Sequence, residues 1–529
     1  MQHLSTNRRL VFERSNAENG FTRTSLRRDA GEPIIGEAPT GVTPLASFIH
    51  LSDLHVCDAK SPARVEFLDR YADPDYPTRA QFEYVGTYRP QEFLTLQVVE
   101  AMVQAANEIE AGPLLGAPIA GVLITGDVID NGQANELDWY KKLMDGGRVS
   151  SGSGDNEVVE AAHGNHPNFT DDHYYKPDYS ETERAGEKWG MPQVVGLAQV
   201  AQEDFFATGL AHPWFAIHGN HDALLQGTVR PNDELQEFVV GDQKLNGIKE
   251  NADLAVVFEP FQEVGPAGYP DPTLMTTVTV TPDESRRFVE MSDWVGIHQD
   301  CGHDHGLAAG ASVAYWTRDF GDVRVIALDT VNEWGGWQGC LDRTQFVWLR
   351  ELLKNSVDKY VLLTSHHPMQ DLFNGYRPDG VAEPALTAEV TALLAEHRNI
   401  IAWVSGHVHD HNISFAKSAK GDWGFWQIRT GSHMDWPQQS RVVEIGRTDD
   451  GRIVIGTQVF DHAGSELLTL AEAGATTDEQ LTDLLHLAGI SRIIAANDWQ
   501  RFEGANSLEA LEGTPADRNA WLWLVDPLK

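Results

Sequence analysis

The chain of 529 residues carries 40 Lys and Arg against 78 Asp and Glu, a formal net charge of −38, with 41% apolar and 22% charged residues. That acidity repels polyanions at long range and disfavours sequence-independent nucleic-acid binding. The composition is ordinary for a soluble globular protein, and no apolar run approaches the roughly 18 residues that a membrane span requires. The length admits about three domains, or one large α/β domain with insertions. Three cysteines, Cys57, Cys301 and Cys340, are far apart and odd in number, so neither a disulfide framework nor a zinc ribbon is expected. Arg8-Arg9 and Arg27-Arg28 are not followed by the apolar region of an export signal, and the expected location is the cytoplasm.

Residues 1–44 are polar, with Gly20, Gly31, Pro33, Gly36, Pro39 and Gly41, and read as a loosely structured extension. Ser47 to Leu51 reads as a strand that runs into Ser52-Asp53-Leu54-His55. From Gln91 to Ala111 the apolar residues Leu94, Val98, Ala101, Met102, Ala105 and Ile109 recur at helical spacing, and Gly112-Pro113 stops the helix. Val122-Leu123-Ile124-Thr125 is a short aliphatic run closed by Gly126-Asp127, the pattern of a parallel strand buried on both faces. Strand, helix and strand make a βαβ unit that brings Asp53 and Asp127 to one sheet edge, where ligands of open α/β sheets sit.

A polar insertion at about 131–211 is expected to form loops and short helices over the site. The strand Pro213–His218 then delivers Gly219-Asn220-His221-Asp222. A second insertion, about 223–319, contains strand-like Thr276–Thr281 and Ser312–Trp316. Core alternation resumes with Val323–Asp329. A helix over Arg343–Lys354 precedes the strand Tyr360–Thr364, which ends in Ser365-His366-His367-Pro368. A helix over Leu386–His397 precedes Ile400–Val404, which ends in Ser405-Gly406-His407-Val408-His409. Arg441–Ile445 and Arg452–Phe460 pair as a hairpin across Asp449-Asp450-Gly451. In the tail, Thr477 and Gln480 have capping-box spacing, with Leu481, Leu484, Leu485 and Ala488 on one helical face.

Five strand ends thus carry Asp53 and His55, Asp127, Asn220 and His221, His366, and His407 and His409. Singly, each histidine is more often a core or surface residue, because a metal needs several convergent donors. Together, imidazoles, carboxylates and an amide oxygen suit manganese, iron, zinc or cobalt. The ordered set, Asp-x-His, Gly-Asp-x-x-Asp, Gly-Asn-His-Asp, His-x-Pro and Gly-His-x-His from Ser47 to His411, resembles the calcineurin-like metallophosphoesterase superfamily. Gly164-Asn165-His166 and Gly302-His303-Asp304-His305 repeat two of these motifs but follow no core strand, and they are set aside.

The resemblance implies an α/β sandwich of two mostly mixed β-sheets flanked by helices, occupying residues 45–462 between the 1–44 extension and a helical tail at 463–529. It implies two metal ions, one held by Asp53, His55, Asp127 and His409, the other by Asp127, Asn220, His366 and His407, with Asp127 bridging. The implied reaction is hydrolysis of a small phosphomonoester or phosphodiester by attack of a metal-bound hydroxide. His221 would stabilise the transition state or protonate the leaving oxygen, and Asp130 would orient it. Asp222 is either a partner of the donors or a turn-stabilising carboxylate. His367 and His411 fall near the site but outside the donor set, and Arg64 is a speculative phosphate contact more in keeping with a solvated or paired arginine. Purple acid phosphatases carry a tyrosine where this chain has Asp130, so their charge-transfer iron site is not expected. Asp435-Trp436-Pro437-Gln438-Gln439-Ser440-Arg441, with Ser61 to Leu68, resembles a bacterial, chiefly actinobacterial, branch. The alternatives are a nuclease of the same superfamily, which the charge disfavours, and a non-catalytic metal-stabilised binding protein, which has no use for His221 and Asp130. No oligomeric state follows from the sequence.

Overall fold

A computed structural model describes every residue except 1, 17–21, 74–75, 79–85, 170, 172, 179–183, 260–267, 300–304, 309, 419–420, 422, 502–503 and 505. Two six-stranded mixed sheets form the core. In the first, Ala520–Val525, Arg452–Asp461 and Gln439–Thr448 run antiparallel to one another and up to Val42–Leu51. Val42–Leu51, Ile119–Thr125 and Trp214–Ile217 are parallel. In the second, Val323–Leu328, Tyr360–Ser365, Ile400–Ser405 and Gly424–Arg429 are parallel, with Trp316–Phe320 and Asn412–Lys417 antiparallel at the two edges.

Side-chain alternation explains the layering. Val325, Ala327, Tyr360 and Leu362 join Phe48, Ile124 and Ile445 in one buried cluster between the sheets. Their neighbours Ile326, Leu328, Val361 and Leu363 pack instead with Phe346, Leu349 and Leu353 of the helix Arg343–Lys354. Strands covered on both faces read as unbroken apolar runs, which is why they are visible in the sequence. The helix of the βαβ unit spans Thr95–Asn107 after a tighter turn at Glu92–Leu94.

Five expectations change. Residues 1–44 are not loose: Arg8–Asn16 and Thr22–Ala30 form an antiparallel hairpin. Its arginines reach acids at the far end of the chain, Arg14 to Glu509, Arg28 to Glu466 and Arg9 to Glu512, contacts that local sequence does not announce. The segment 131–211 contains a full helix, Ala134–Asp145, opened by a Gln133/Glu136 capping box and packed on the first sheet through Leu137, Tyr140 and Leu143. The tail helix breaks into Asp478–Leu481 and Leu484–Ala495. Thr477 and Gln480 form the expected box, but Asp483 accepts a hydrogen bond from Leu485 N and starts a new helix, a competition that short polar side chains win. The same tail ends in the strand Ala520–Val525, which joins the first sheet. The strand-like stretch 312–316 lies mainly before its strand, Trp316–Phe320, while Met275–Thr279 pairs with Gln243–Ile248. Among the described residues no helix is long and apolar enough to cross a membrane.

Candidate metal centre

The carboxyl ends of the parallel strands of both sheets point to one place. Asp53 and His55 follow Val42–Leu51, Asp127 follows Ile119–Thr125, Asn220 and His221 follow Trp214–Ile217, His366 follows Tyr360–Ser365, and His407 and His409 follow Ile400–Ser405. The chain turns sharply at each end. Among the described non-glycine residues, positive φ occurs at Asp53 (51°), His55 (45°), Asp127 (48°), His407 (71°) and His409 (63°), and otherwise only at Gln226 and Gln438. Non-glycine residues in the left-handed region collect at functional sites, where the surroundings over-determine them. The glycines beside the donors answer to space. A Cβ on Gly219 would sit 2.2 Å from Asp127 N, and one on Gly406 would sit 1.8 Å from Ser52 Oγ and 2.3 Å from Asp53 Oδ2.

Two groups of donor atoms result. In the first, His55 Nε2 faces His409 Nε2 at 3.0 Å, and His409 Nε2 lies 3.4 Å from Asp53 Oδ1. His55 donates through Nδ1 to Asp130 Oδ1 (3.0 Å) and His409 through Nδ1 to Asp435 Oδ2 (2.6 Å). When both rings are neutral, those protons leave the two Nε2 lone pairs facing each other beside a carboxylate. In the second group, His366 Nε2 lies 2.8 Å from Asn220 Oδ1, 3.1 Å from His407 Nδ1 and 3.1 Å from Asp127 Oδ2. His366 Nδ1 donates to the Thr125 carbonyl (2.8 Å), and Asn220 Nδ2 donates to the Gly227 carbonyl (3.0 Å), which turns the amide oxygen inward. Asp127 joins the groups, since its Oδ2 is also 3.9 Å from His55 Nε2 while its Oδ1 accepts from His221 N (2.8 Å).

The electrostatics call for added positive charge. Burial raises the Asp127 carboxyl, but the neighbouring His366 and His221 hold it well below its usual range. The same field, against burial, holds His366 up to about 9. A cluster of facing lone pairs and buried carboxylates is repulsive until protons or cations enter it, and neutral imidazole, carboxylate and amide oxygen are the donors that transition-metal cations take. The residues present therefore fit a metal centre.

Two further donor groupings lie within 4.8 Å of one another but are already spent. His367 has Nδ1 at 2.8 Å from Thr330 Oγ1 and Nε2 at 2.9 Å from the Trp337 carbonyl, so it adds no lone pair beside His366 and His407. The carboxylate of Asp130 is occupied by His55 and by Arg64.

Asp130 supports more than one ring. Its carboxylate takes His55, whereas His221 Nδ1 meets its main-chain carbonyl at 2.7 Å and its Oδ1 only at 3.5 Å. Arg64 is buried and paired with Asp130, with Asn131 Oδ1 at 3.1 Å and with Glu92 Oε2 at 2.8 Å. It is a structural anchor for Asp130, not a phosphate contact. Asp222 accepts from Val128 N (2.8 Å), Ile129 N (3.2 Å) and Gly219 N (2.7 Å), and so stabilises the turn. His411 is buried, with Nδ1 at 3.2 Å from Arg441 Nη2. Of the set-aside motifs, His166 lies in a surface turn with Nδ1 accepting from Asn168 N, His305 Nδ1 bonds the Trp214 carbonyl, and Gly302-His303-Asp304 lies outside the described residues. Sequence reading missed Asp435, which besides His409 binds Arg501 (2.6 Å) and Arg89 (3.1 Å). It lies just past the parallel strand Gly424–Arg429, the one parallel strand the sequence reading left unassigned.

Comparison with known proteins gives three findings. The chain is similar to a dimetal phosphatase of Danio rerio whose crystal structure is known, at 11% identity and a TM-score of 0.34, covering 79% of this chain and 100% of that one. No curated protein matches. The sequence model of the calcineurin-like phosphoesterases matches residues 196–411, the stretch that contains Asn220, His366, His407 and His409. That match covers less than half of the chain and supports a metal-dependent phosphoesterase.

Proposed function

We propose that the chain hydrolyses small phosphomonoesters or phosphodiesters at a binuclear centre, with Asp53, His55, Asp127 and His409 holding one ion and Asp127, Asn220, His366 and His407 the other. The observation that carries this reading is the position of Asp127, whose carboxylate reaches donors of both groups. Two such ions would polarise a phosphate and supply a nucleophile from water near neutral pH, and manganese, iron, zinc and cobalt are the candidates.

The remaining work falls to side chains. His55 and His409 keep Nε2 free because Asp130 and Asp435 take their Nδ1 protons, an arrangement that fixes tautomer and ring orientation. His221 is tied at Nδ1 to the Asp130 carbonyl. Burial lowers its affinity for a proton, but Asp127 and Asp130 hold the imidazole up to about 9. With Nδ1 donating to that carbonyl, Nε2 is the nitrogen left to hold a phosphate oxygen or to give a proton to the leaving oxygen. Its side chain is 20% exposed, so the group reaches solvent, as turnover needs and a sealed structural metal site does not. The test is hydrolysis of aryl phosphate mono- and diesters after addition of manganese, in wild type and Asp127→Asn. Equal rates in the two proteins would refute the assignment. Elemental analysis of protein purified without chelator identifies the native ions.

A further inference from the structure

We propose, building on the phosphoesterase reading, that the alcohol side of the substrate is a planar aromatic group, an aryl ring or nucleobase, that stacks on the exposed indole of Trp337 beside His407. Trp337 lies in the segment after Val323–Leu328, and its ring is near-parallel to His407, with centroids 5.7 Å apart and planes at 20°. Phe373 meets Trp337 edge-on at 5.7 Å and 88°. Trp337, Phe373 and Tyr376 are 44%, 40% and 44% exposed. Single exposed apolar side chains are commonplace, but two in ring contact beside a candidate metal donor form a surface of the kind that marks a binding site.

The second observation is that the surface is held rigidly. Asn332 and Asn374 are buried. Asn332 Nδ2 donates to the Tyr376 carbonyl (3.0 Å), and Asn374 Nδ2 donates to the carbonyls of Gly335 (2.9 Å) and Gln338 (3.3 Å). Gly339 N donates to Asp371 O and Asn374 N returns a bond to Gly339 O. His367 Nε2 lies 2.9 Å from the Trp337 carbonyl, and Gly336 N donates to Thr228 O, which joins this loop to the segment following Asn220. Buried amides committed to carbonyls fix two loops whose aromatic side chains face water, the arrangement of a preorganised contact rather than of a core. An indole in this setting offers a π-face to a ring attached to a phosphate held at the centre. Stacking of that kind is sequence-tolerant, because every aromatic base presents a π-face.

The test uses non-hydrolysable ligands on the full chain loaded with manganese. Calorimetry measures binding of phenylphosphonate and methylphosphonate to wild type, Trp337→Ala, Trp337→Phe and Phe373→Ala. The expected result is a preference of about tenfold or more for the phenyl ligand in wild type, near-complete loss of that preference in Trp337→Ala, and partial retention in Trp337→Phe. Metal-induced thermal shifts equal to wild type verify that each variant is folded and loaded. An adenine nucleoside phosphonate, compared with phenylphosphonate, tells base from simple aryl, and tighter binding of either upholds the platform. Equal affinity of wild type for phenyl and methyl ligands, or equal weakening of both by Trp337→Ala, overturns the proposal and leaves the phosphoesterase reading standing. Binding of no phosphonate at all to the metal-loaded wild type overturns both.

Discussion

Asp127 and Asp222 are buried aspartates at the ends of neighbouring strands, and the structure gives them opposite work. Asp127 presents Oδ2 to His366 and His55, while Asp222 spends both oxygens on the amides of Val128, Ile129 and Gly219. Asp127→Asn retains shape and the bond to His221 N but removes the anion shared by two ions. Loss of a mere supporting partner costs 10- to 100-fold in metal affinity, so about 100-fold per ion is a floor for a shared donor. At a metal concentration of about 100 times the wild-type Kd, each site adds about 2.7 kcal/mol to folding, and a 100-fold weaker site adds about 0.4 kcal/mol. With about 2 cal/mol/K of unfolding entropy per residue, a chain of 529 residues gains about 1 °C per kcal/mol. The manganese-induced rise in Tm is therefore expected to fall from about 5 °C in wild type to under 1 °C in the variant.

Asp222→Asn is expected to do the reverse. Its amide can answer the N–H donors with one oxygen only, which leaves at least one buried amide unpaired at about 1–3 kcal/mol. Tm falls with and without metal, and the metal-induced increment survives. Calorimetry with and without chelator, alongside elemental analysis, reads all four numbers. An Asp127→Asn protein that still carries two ions per chain and shows the wild-type increment would refute the ligand role.

Further outcomes follow from the groups behind the donors. Asp435→Asn weakens the hold on the His409 ring, and metal affinity measured by competition with a chelating dye is expected to fall about 10- to 100-fold. Arg64→Met leaves Asp130 and Glu92 buried without their cation, a loss of about 3–5 kcal/mol in denaturant unfolding; Arg64→Lys should recover little, since one ammonium cannot span the positions that the guanidinium fork reaches. Cys57 and Cys340 are buried free thiols whose burial pushes Cys57 well above the usual thiol range and Cys340 up to about 12. Alkylation at pH 8 followed by mass spectrometry is expected to leave both unlabelled in native protein and to label both in denaturant.

The parallel strands were legible because burial on two faces leaves no room for polar residues until the strand ends. Each end is therefore an abrupt change of composition, and the donors stand there. The antiparallel hairpin Gln439–Thr448 and Arg452–Asp461 was legible from its turn. What escaped depends on distant partners. The N-terminal hairpin is pinned by Glu466, Glu509 and Glu512, and the last strand finds Arg452–Asp461 only in three dimensions. The helix Ala134–Asp145 carried a usable signal in Leu137, Tyr140 and Met144, but its Gln133 cap falls outside the residue types that mark helix starts. Asp435 was hidden because the strand before it, Gly-Phe-Trp-Gln-Ile-Arg, is half-covered and mixed in character.

The left-handed turns connect backbone to chemistry. In Asp53-Leu54-His55 and His407-Val408-His409 both donors have positive φ, so each pair leaves its strand in a tight reversal that returns alternate side chains to the centre. Aspartate and histidine tolerate this region better than most residues, yet such positions still cost of order 1 kcal/mol each. Hydrogen bonds lock the geometry: Asp53 N to Gly126 O, His55 N to Asp127 O, His407 N to Asp53 Oδ1 and Gly406 N to His366 O. These bonds run between motifs, so each donor's backbone is held by the segment that carries another donor. Strained turns, facing lone pairs and the buried carboxylates of Asp53 and Asp127 are thereby assembled by folding itself, before any ion arrives. A cation relieves the last two at once, and for that reason metal binding should register as stability, not only as activity.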